Sequence, residues 1–442
     1  MAFILLREKR LLLQRIFHLE ENHTTIRREL LAGLTTFTTM AYVVVVNPRI
    51  LSEAGMPVEG VLFATCISAA LATLIMGLWA NYPIALAPGM SLNAYFTYSI
   101  VIGRGVPWQT ALGVVFISGM LFLLLTLTNV REMIVNGIPD CLKYGTAAGI
   151  GLFIAFIGFR NAKIIVAHPS TYVALGRISD PQVILAAVGL LVIASLMARR
   201  VGSAILLGIA ATALAGIPAG LTHWPAHLFS LPHPGGTFLK LDLRAAAKFG
   251  LGDLVFIFFF VDLFDNVGTL IGVCEEGGFM RDGKLPRASR ALLADALGTI
   301  IGSLTGTSTV TSYIESAAGV AAGARTGLGN LVIAGFFFAA MFCAPVIAAI
   351  PSFATAPALI IVGSLMCRAV ARVHWDDFTD AFPAFLTLVA TPLTFSIATG
   401  LSLGMISFTF LKLATGKWRE ISPLIWVLTG LFLLRYAFLG LH

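Results

Sequence analysis

The chain has 442 residues, 58% hydrophobic and 12% charged, with a mean hydropathy of +0.91. A soluble domain cannot keep that much apolar surface out of water, so the composition excludes the soluble globular classes and points to a polytopic membrane protein. A net charge of +7 is no sign of nucleic acid here, because Lys and Arg collect in the cytoplasmic loops of membrane proteins.

The N-terminal stretch interleaves charged and apolar residues and lacks a small-residue cleavage site after an apolar core. It is expected to be an amphipathic, basic helix on the cytoplasmic face (residues 1–29), not a cleaved signal. Apolar stretches of spanning length follow at about 30–50, 60–79, 84–102, 109–128, 142–160, 182–198 and 203–221. A loop rich in Pro, His and Gly occupies 222–248. A second set falls at about 249–273, 289–305, 308–323, 327–349, 354–370, 378–396 and 398–414. A last stretch at 423–440 either spans or lies at the interface. The expectation is therefore an all-α membrane protein of 14 segments.

Charge supports this count. With the N-terminus inside, the even-numbered loops and the N-terminal stretch hold 20 of the 29 basic residues. Seven is odd, so the second half sits inverted relative to the first. Short echoes agree: "LAG" at 31–33 precedes "APG" at 87–89 much as "LGD" at 251–253 precedes "GTS" at 306–308. Inverted repeats with interrupted segments at matching positions mark secondary transporters, with the site at the midplane.

The third segment of each half is irregular. "PIALAPGMSLNAYF" carries two prolines and a glycine near its start, and "GSLTGTSTVTSYIESAAGV" is rich in Thr, Ser and Gly. Both predict extended backbone running into a helix N-terminus at mid-depth, tolerated only where protein or a cavity satisfies it. Two such half-helices aim N–H groups and positive dipole ends at one point. The site is expected between these breaks and the acidic eighth segment.

The intramembrane acids are Asp262, Asp265, Asp295 and Glu315. Each is costly unless paired, hydrated or neutral, so each is a functional candidate. Plainer roles compete. Asp262 or Asp265 can cap a helix break at Asn266–Gly268 or meet a basic residue; Asp295 suits a structural or interfacial place; Glu315 can cap. Asn93 serves equally well to satisfy the broken backbone. Tyr313, Tyr95 and Phe96 offer aromatic faces, although in a chain with 32 Phe most rings are packing. No histidine falls in a predicted span, and no basic residue falls mid-span in the predicted site. The five cysteines show no metal-like spacing and read as small core residues. No cofactor or metal is expected.

Carboxylates and amides without a fixed cation suit a cation or a neutral solute rich in N–H groups. A carboxylate accepts paired N–H donors with planar geometry. A desolvated carboxyl also loads and releases a proton near neutral pH. This chemistry suits a proton-coupled carrier of a hydrogen-bonding planar ring. A hydrolase would need a nucleophile–base pair or metal ligands on one face, and neither pattern is present.

Four stretches, "LAGLTTFTTMAYVVVVNPRIL", "NYPIALAPGMSLNAYF", "FFFVDLFDNVGTLIGV" and "TSYIESAAGVAAGARTGL", resemble the AzgA-like purine permeases of the nucleobase:cation symporter-2 family. The resemblance covers nearly the whole chain. It implies two inverted sevens, divided into a core domain (30–128 and 249–350) and a gate domain (129–221 and 351–442). It implies proton symport of purine nucleobases across the bacterial inner membrane, an elevator-like shift of core against gate, and a homodimer. In the wider family an acid-x-x-Gly pattern in segment 8 binds the base. "DNVG" fits it and nominates Asp265, with Asn266 beside it and Asp262 in a supporting or proton-relay role. "YIES" fits the second acidic position and nominates Glu315 with Tyr313. The Asn of the segment 3 motif matches Asn93. Where the uracil permease of this family carries a histidine, this chain has Thr269, so the proton is expected on Asp265 or Glu315. An anion carrier of the sulfate-permease type is the alternative on the same fold.

Overall fold

The computed structural model describes residues 14–127, 137–249, 254–280 and 285–438. The first thirteen residues of the expected amphipathic stretch, Arg131, Arg281, Lys284, the opening of the eighth segment at 250–253 and the end of the last stretch beyond 438 lie outside the described residues.

The described residues are mostly helical, with two short pairs of strands. Among the described residues, nine helices are long and apolar enough to cross a membrane. The sequence expectation of a polytopic all-α protein holds, and its described residues fall into two compact units.

One unit takes in the described residues up to Leu127 and from Leu191 to Thr355. Its first segment comprises α1 (Ile26–Met40) and α2 (Val43–Ser52), which meet at a turn at Ala41–Tyr42. The sequence explains the turn. Thr38 and Thr39 hydrogen-bond back to the carbonyls of Thr35 and Thr36, at 2.9 and 2.7 Å. Such back-bonding bends helices, and Pro48 removes another ladder donor further on. The next helix is α3 (Val58–Ile75). Then comes the break: strand β1 (Leu86–Pro88), a five-residue helix α4 (Met90–Ala94) and a π-helical continuation at Tyr95–Ile102. Helix α5 (Trp108–Leu127) closes the first four segments.

The second repeat supplies α9 (Leu254–Glu276), α10 (Ala288–Thr305), strand β4 (Val310–Ser312), the short α11 (Ser316–Ala321) and α12 (Leu328–Ala340). The strands β1 and β4 pair antiparallel, Leu86 with Ser312 and Pro88 with Val310. The pairing is symmetric about Ala87–Thr311, so a pseudo-twofold axis relates the halves at that point. Side chains repeat the symmetry. The Thr73 hydroxyl on α3 bonds both the N–H and the carbonyl of Leu86, each at 3.0 Å. The Thr299 hydroxyl on α10 does the same for Val310, at 3.2 and 3.0 Å. Backbone that would be orphaned in lipid is thereby satisfied by neighbouring helices. Asn330 at the start of α12 reaches the carbonyls of Thr73, Tyr82 and Ile84 at 3.0–3.1 Å.

Small residues let these helices approach. A Cβ on Gly33 of α1 would overlap the carbonyl of Gly329 on α12, and one on Gly89 would meet the Thr311 methyl at 2.8 Å.

The other unit takes in the described residues from 137 to Leu190 and from Ala356 onward. Here α6 (Asp140–Asn161) carries the hairpin β2 (Ile165–His168) and β3 (Tyr172–Leu175) after it; α7 (Pro181–Ala198) and α8 (Ala204–Ala215) follow in the chain, the latter within the first unit. Helix α13 (Ser352–Met366) leads into α14 (Phe378–Leu393), α15 (Ile397–Ala414) and α16 (Pro423–Phe438). Gly145 and Gly149 on α6 lie against the α14 backbone at Ala384 and Thr387. At one end of this unit Lys412 is buried among Asp380 at 2.9 Å and Glu420 at 2.6 Å, and Lys417 bonds Asp377 at 2.8 Å. Asp377 caps α14, accepting from the Thr379 N–H.

Candidate functional site

The candidate site lies in the first unit, where the β1–β4 crossing faces α1, α2 and α9. Asp265 stands on α9, and its Oδ2 accepts from the Ser91 hydroxyl on α4 at 3.1 Å. Glu315 stands at the start of α11, and its Oε1 accepts from the Tyr42 hydroxyl at 2.6 Å. Tyr313 turns its hydroxyl onto the carbonyl of Pro88 at 2.5 Å, across the crossing. Asp265 is near enough to act electrostatically on Glu315, Tyr42 and Tyr313. Both acids remain half-buried. Among the described residues neither forms a salt bridge, so no fixed cation fills the place of a ligand.

The two acids of the eighth segment are unlike. Asp262, one turn before Asp265, is 2% exposed. The expected helix break at Asn266–Gly268 is not present: α9 runs unbroken through Asn266, Val267 and Gly268. A glycine in a helix costs about 1 kcal/mol against alanine yet does not by itself open the backbone. What Gly268 leaves is space, for no atom lies within 4 Å of where its Cβ would stand. Asn266 is fully buried, and its amide finds no hydrogen-bond partner among the described residues. Thr269 is half-buried on the same helix.

Asn93 is also fully buried, and its amide is engaged on both sides. Its Nδ2 donates to Asn47 Oδ1, and its Oδ1 accepts from Ser308. Asn47 donates onward to Thr65 at 2.7 Å and Thr307 at 3.0 Å. This buried chain ties α2, α3 and α4 to the residues before β4. Helix α11 has only six residues, so the aligned dipoles at its N-terminus are few. Asp295 is buried within α10.

Three participants escape a reading of the sequence alone. Tyr42 and Asn47 lie in an apolar run, where a tyrosine or asparagine reads as packing until its partner is known. Glu29, fully buried on α1, accepts from Thr24 at 2.9 Å and from the Arg325 N–H at 2.8 Å, pinning the loop before α12. The signal for Asn47 was its place as a polar residue before Pro48; nothing local marks Tyr42.

The model of the permease family named Xan_ur_permease matches residues 27–403. The chain belongs to this family. Relatives of this permease span nearly its full length. A guanine/hypoxanthine permease of Bacillus subtilis, PbuO, is 48% identical over 95% of this chain and 99% of its own. An adenine permease of Escherichia coli, AdeP, is 42% identical over 98% of this chain and 97% of its own. Among solved structures, the transmembrane domain of the cyanobacterial bicarbonate transporter BicA superimposes with a TM-score of 0.63 at 15% identity, over 84% of this chain and 97% of that one. At that identity the likeness concerns the fold. The protein is thus a multi-pass membrane permease, a carrier and not an enzyme, as the sequence led us to expect.

Proposed function

We propose that this permease imports purine nucleobases by proton symport across the bacterial cytoplasmic membrane. Its N-terminus is inside, and the carrier works by an elevator-like shift of a core domain against a gate domain in a homodimer. The relatives named for guanine, hypoxanthine and adenine support the substrate class. The observation that carries the reading is the convergence of Asp265 and Glu315 on the β1–β4 crossing without a cation beside them. Two carboxylates offer acceptors to the N–H groups of a neutral planar base and a seat for the coupling proton. The same pair opposes a small anion, which would need Arg, Lys or unopposed helix dipoles, so the likeness to a bicarbonate carrier does not extend to the cargo.

In this reading Asp265 and Glu315 bind the base and share the proton, and Asp262 supports them as a relay. Asn93, Tyr313, Asn266 and Thr269 complete the purine site. Asn93 acts through its amide chain, which fixes α4 against the crossing. Tyr313 fixes the carbonyl of Pro88.

The test is uptake of labelled adenine, guanine, hypoxanthine, xanthine and uracil by cells lacking their own permeases. Purine uptake abolished by a protonophore supports the proposal. Absence of purine uptake in cells that display the protein in the membrane refutes it, and uptake driven by sodium alone refutes the proton.

A further inference from the structure

The inverted repeat does more than cross two strands. Tyr42 stands 223 residues before Asp265, and Ser91 stands 224 before Glu315. Leu86 and Val310, which the pseudo-twofold exchanges, are also 224 apart. The bond from Tyr42 to Glu315 and the bond from Ser91 to Asp265 are therefore the same contact seen from the two halves. Each joins a residue of a repeat's first segment to the opening turn of the other repeat's half-helix. Chemistry breaks the symmetry: both hydroxyls come from the first repeat and both carboxylates from the second.

We propose that Tyr42 and Ser91 are positioning residues that set purine specificity, each hydroxyl holding one oxygen of its carboxylate so that Glu315 and Asp265 each face the base with the other oxygen alone. This rests on the purine reading above.

The geometry carries the claim. Tyr42 is 2% exposed and fixed in the turn between α1 and α2, so its hydroxyl cannot wander. Ser91 is 2% exposed on α4. Among the described residues no other side chain bonds the Glu315 or Asp265 carboxylate, and the Glu315 carboxylate has one further contact, its own backbone N–H. The titratable groups facing Glu315 are Tyr42, Tyr313 and Asp265. A free carboxylate takes two parallel N–H donors, one on each oxygen. With one oxygen already accepting from a phenol, it keeps one unshared oxygen for a single N–H, while the second N–H of a pair must share the engaged oxygen's remaining lone pair. Guanine presents adjacent N–H groups at positions 1 and 2. Hypoxanthine, identical but for the 2-amino group, presents only the first. The arrangement thus favours hypoxanthine over guanine at Glu315, and removing the hydroxyl releases that constraint.

The experiment uses purified full-length protein and competition of guanine or hypoxanthine against labelled hypoxanthine, for the parent, Tyr42→Phe and Ser91→Ala. Both changes remove a hydroxyl and little else. We expect hypoxanthine affinity to fall roughly tenfold in Tyr42→Phe, the scale of a charge-assisted hydrogen bond, with guanine losing less, so that the guanine-to-hypoxanthine ratio rises. Ser91→Ala should weaken purine binding on the same scale and also move the ratio. A uniform loss for both bases, or unchanged affinity, overturns the role, because a structural contribution would not alter the ratio. If Tyr42→Phe yields no folded protein, Ser91→Ala decides by the same criterion. A parent that binds neither base overturns the purine reading and this role with it; a parent that binds both while the variants match it overturns the role alone.

Discussion

Truncating Asp265 to alanine removes the half-buried carboxylate at the β1–β4 crossing and leaves the Ser91 hydroxyl without its acceptor. A hydrogen bond to a charged group contributes about 1.5–3 kcal/mol, roughly twice a neutral one. A base that gives Asp265 one N–H bond therefore loses about 1.5–3 kcal/mol, and about 1.4 kcal/mol is tenfold in affinity. Binding should fall by about tenfold at the least and by about 140-fold at the most. Asp262→Asn is the matched control. Asp262 lies one turn away on the same helix but is buried at 2% exposure, whereas Asp265 is half-buried. Purine binding to that variant should remain measurable with altered affinity or rate. Calorimetry on purified protein, with thermal unfolding to confirm both variants are folded, makes the comparison. Normal binding by Asp265→Ala with loss in Asp262→Asn reverses the assignment of the two acids. Normal binding by both removes the site from α9.

Glu315→Gln keeps the shape and one acceptor at the start of α11 but removes the titrating proton; uptake should be strongly impaired with the protein still in the membrane, and normal uptake would take Glu315 out of the site. Uptake in the parent should rise in mildly acidic medium and collapse with a protonophore, read as initial rates of labelled purine. Gly33→Ala should destabilise by about 1–3 kcal/mol, the usual cost of overpacking, because its methyl would overlap the Gly329 carbonyl; an unchanged unfolding temperature would contradict the close approach of α1 and α12. The Lys417 ammonium, with the Thr379 hydroxyl and N–H, holds the Asp377 carboxyl well below the usual carboxylate range. Its folded value is depressed, so its contribution is fully present above the ordinary value of about 4 and is lost as pH falls through the folded value. Asp377→Asn should therefore lower the unfolding temperature at pH 7, with the difference from the parent shrinking only in strong acid.

Much of the fold was legible because the bilayer imposes a coarse rule: spans must be long and apolar, and breaks must be polar and small. The breaks at 86–94 and 310–321 could be read from Pro, Gly, Thr and Ser, since those residues neither continue a helix nor tolerate lipid. The unbroken α9 could not. "DNVG" carries turn residues, and only packing against the unit's other helices decides that Asn266 and Gly268 stay helical. Asp265 and Glu315 stood out as acids in apolar runs, a signal any charge in a membrane sends. Tyr42 sent none, because what matters is a partner 273 residues away. The offset of 224 that links the two bonds was invisible in the short sequence echoes, which compared spacing within each half and not the positions exchanged between them.

The crossing of β1 and β4 also imposes an order of events on biosynthesis. Leu86 emerges from the ribosome more than two hundred residues before Ser312, its strand partner. At about 5–20 residues per second, the first strand waits on the order of 10–40 s for its mate. During that interval the first four segments are already made, with the three residues of β1 still lacking their strand partner. Thr73 is the provisional guardian of that backbone, since its hydroxyl alone serves both polar groups of Leu86. A chain cut short before residue 310 would lack the strand with which β1 pairs.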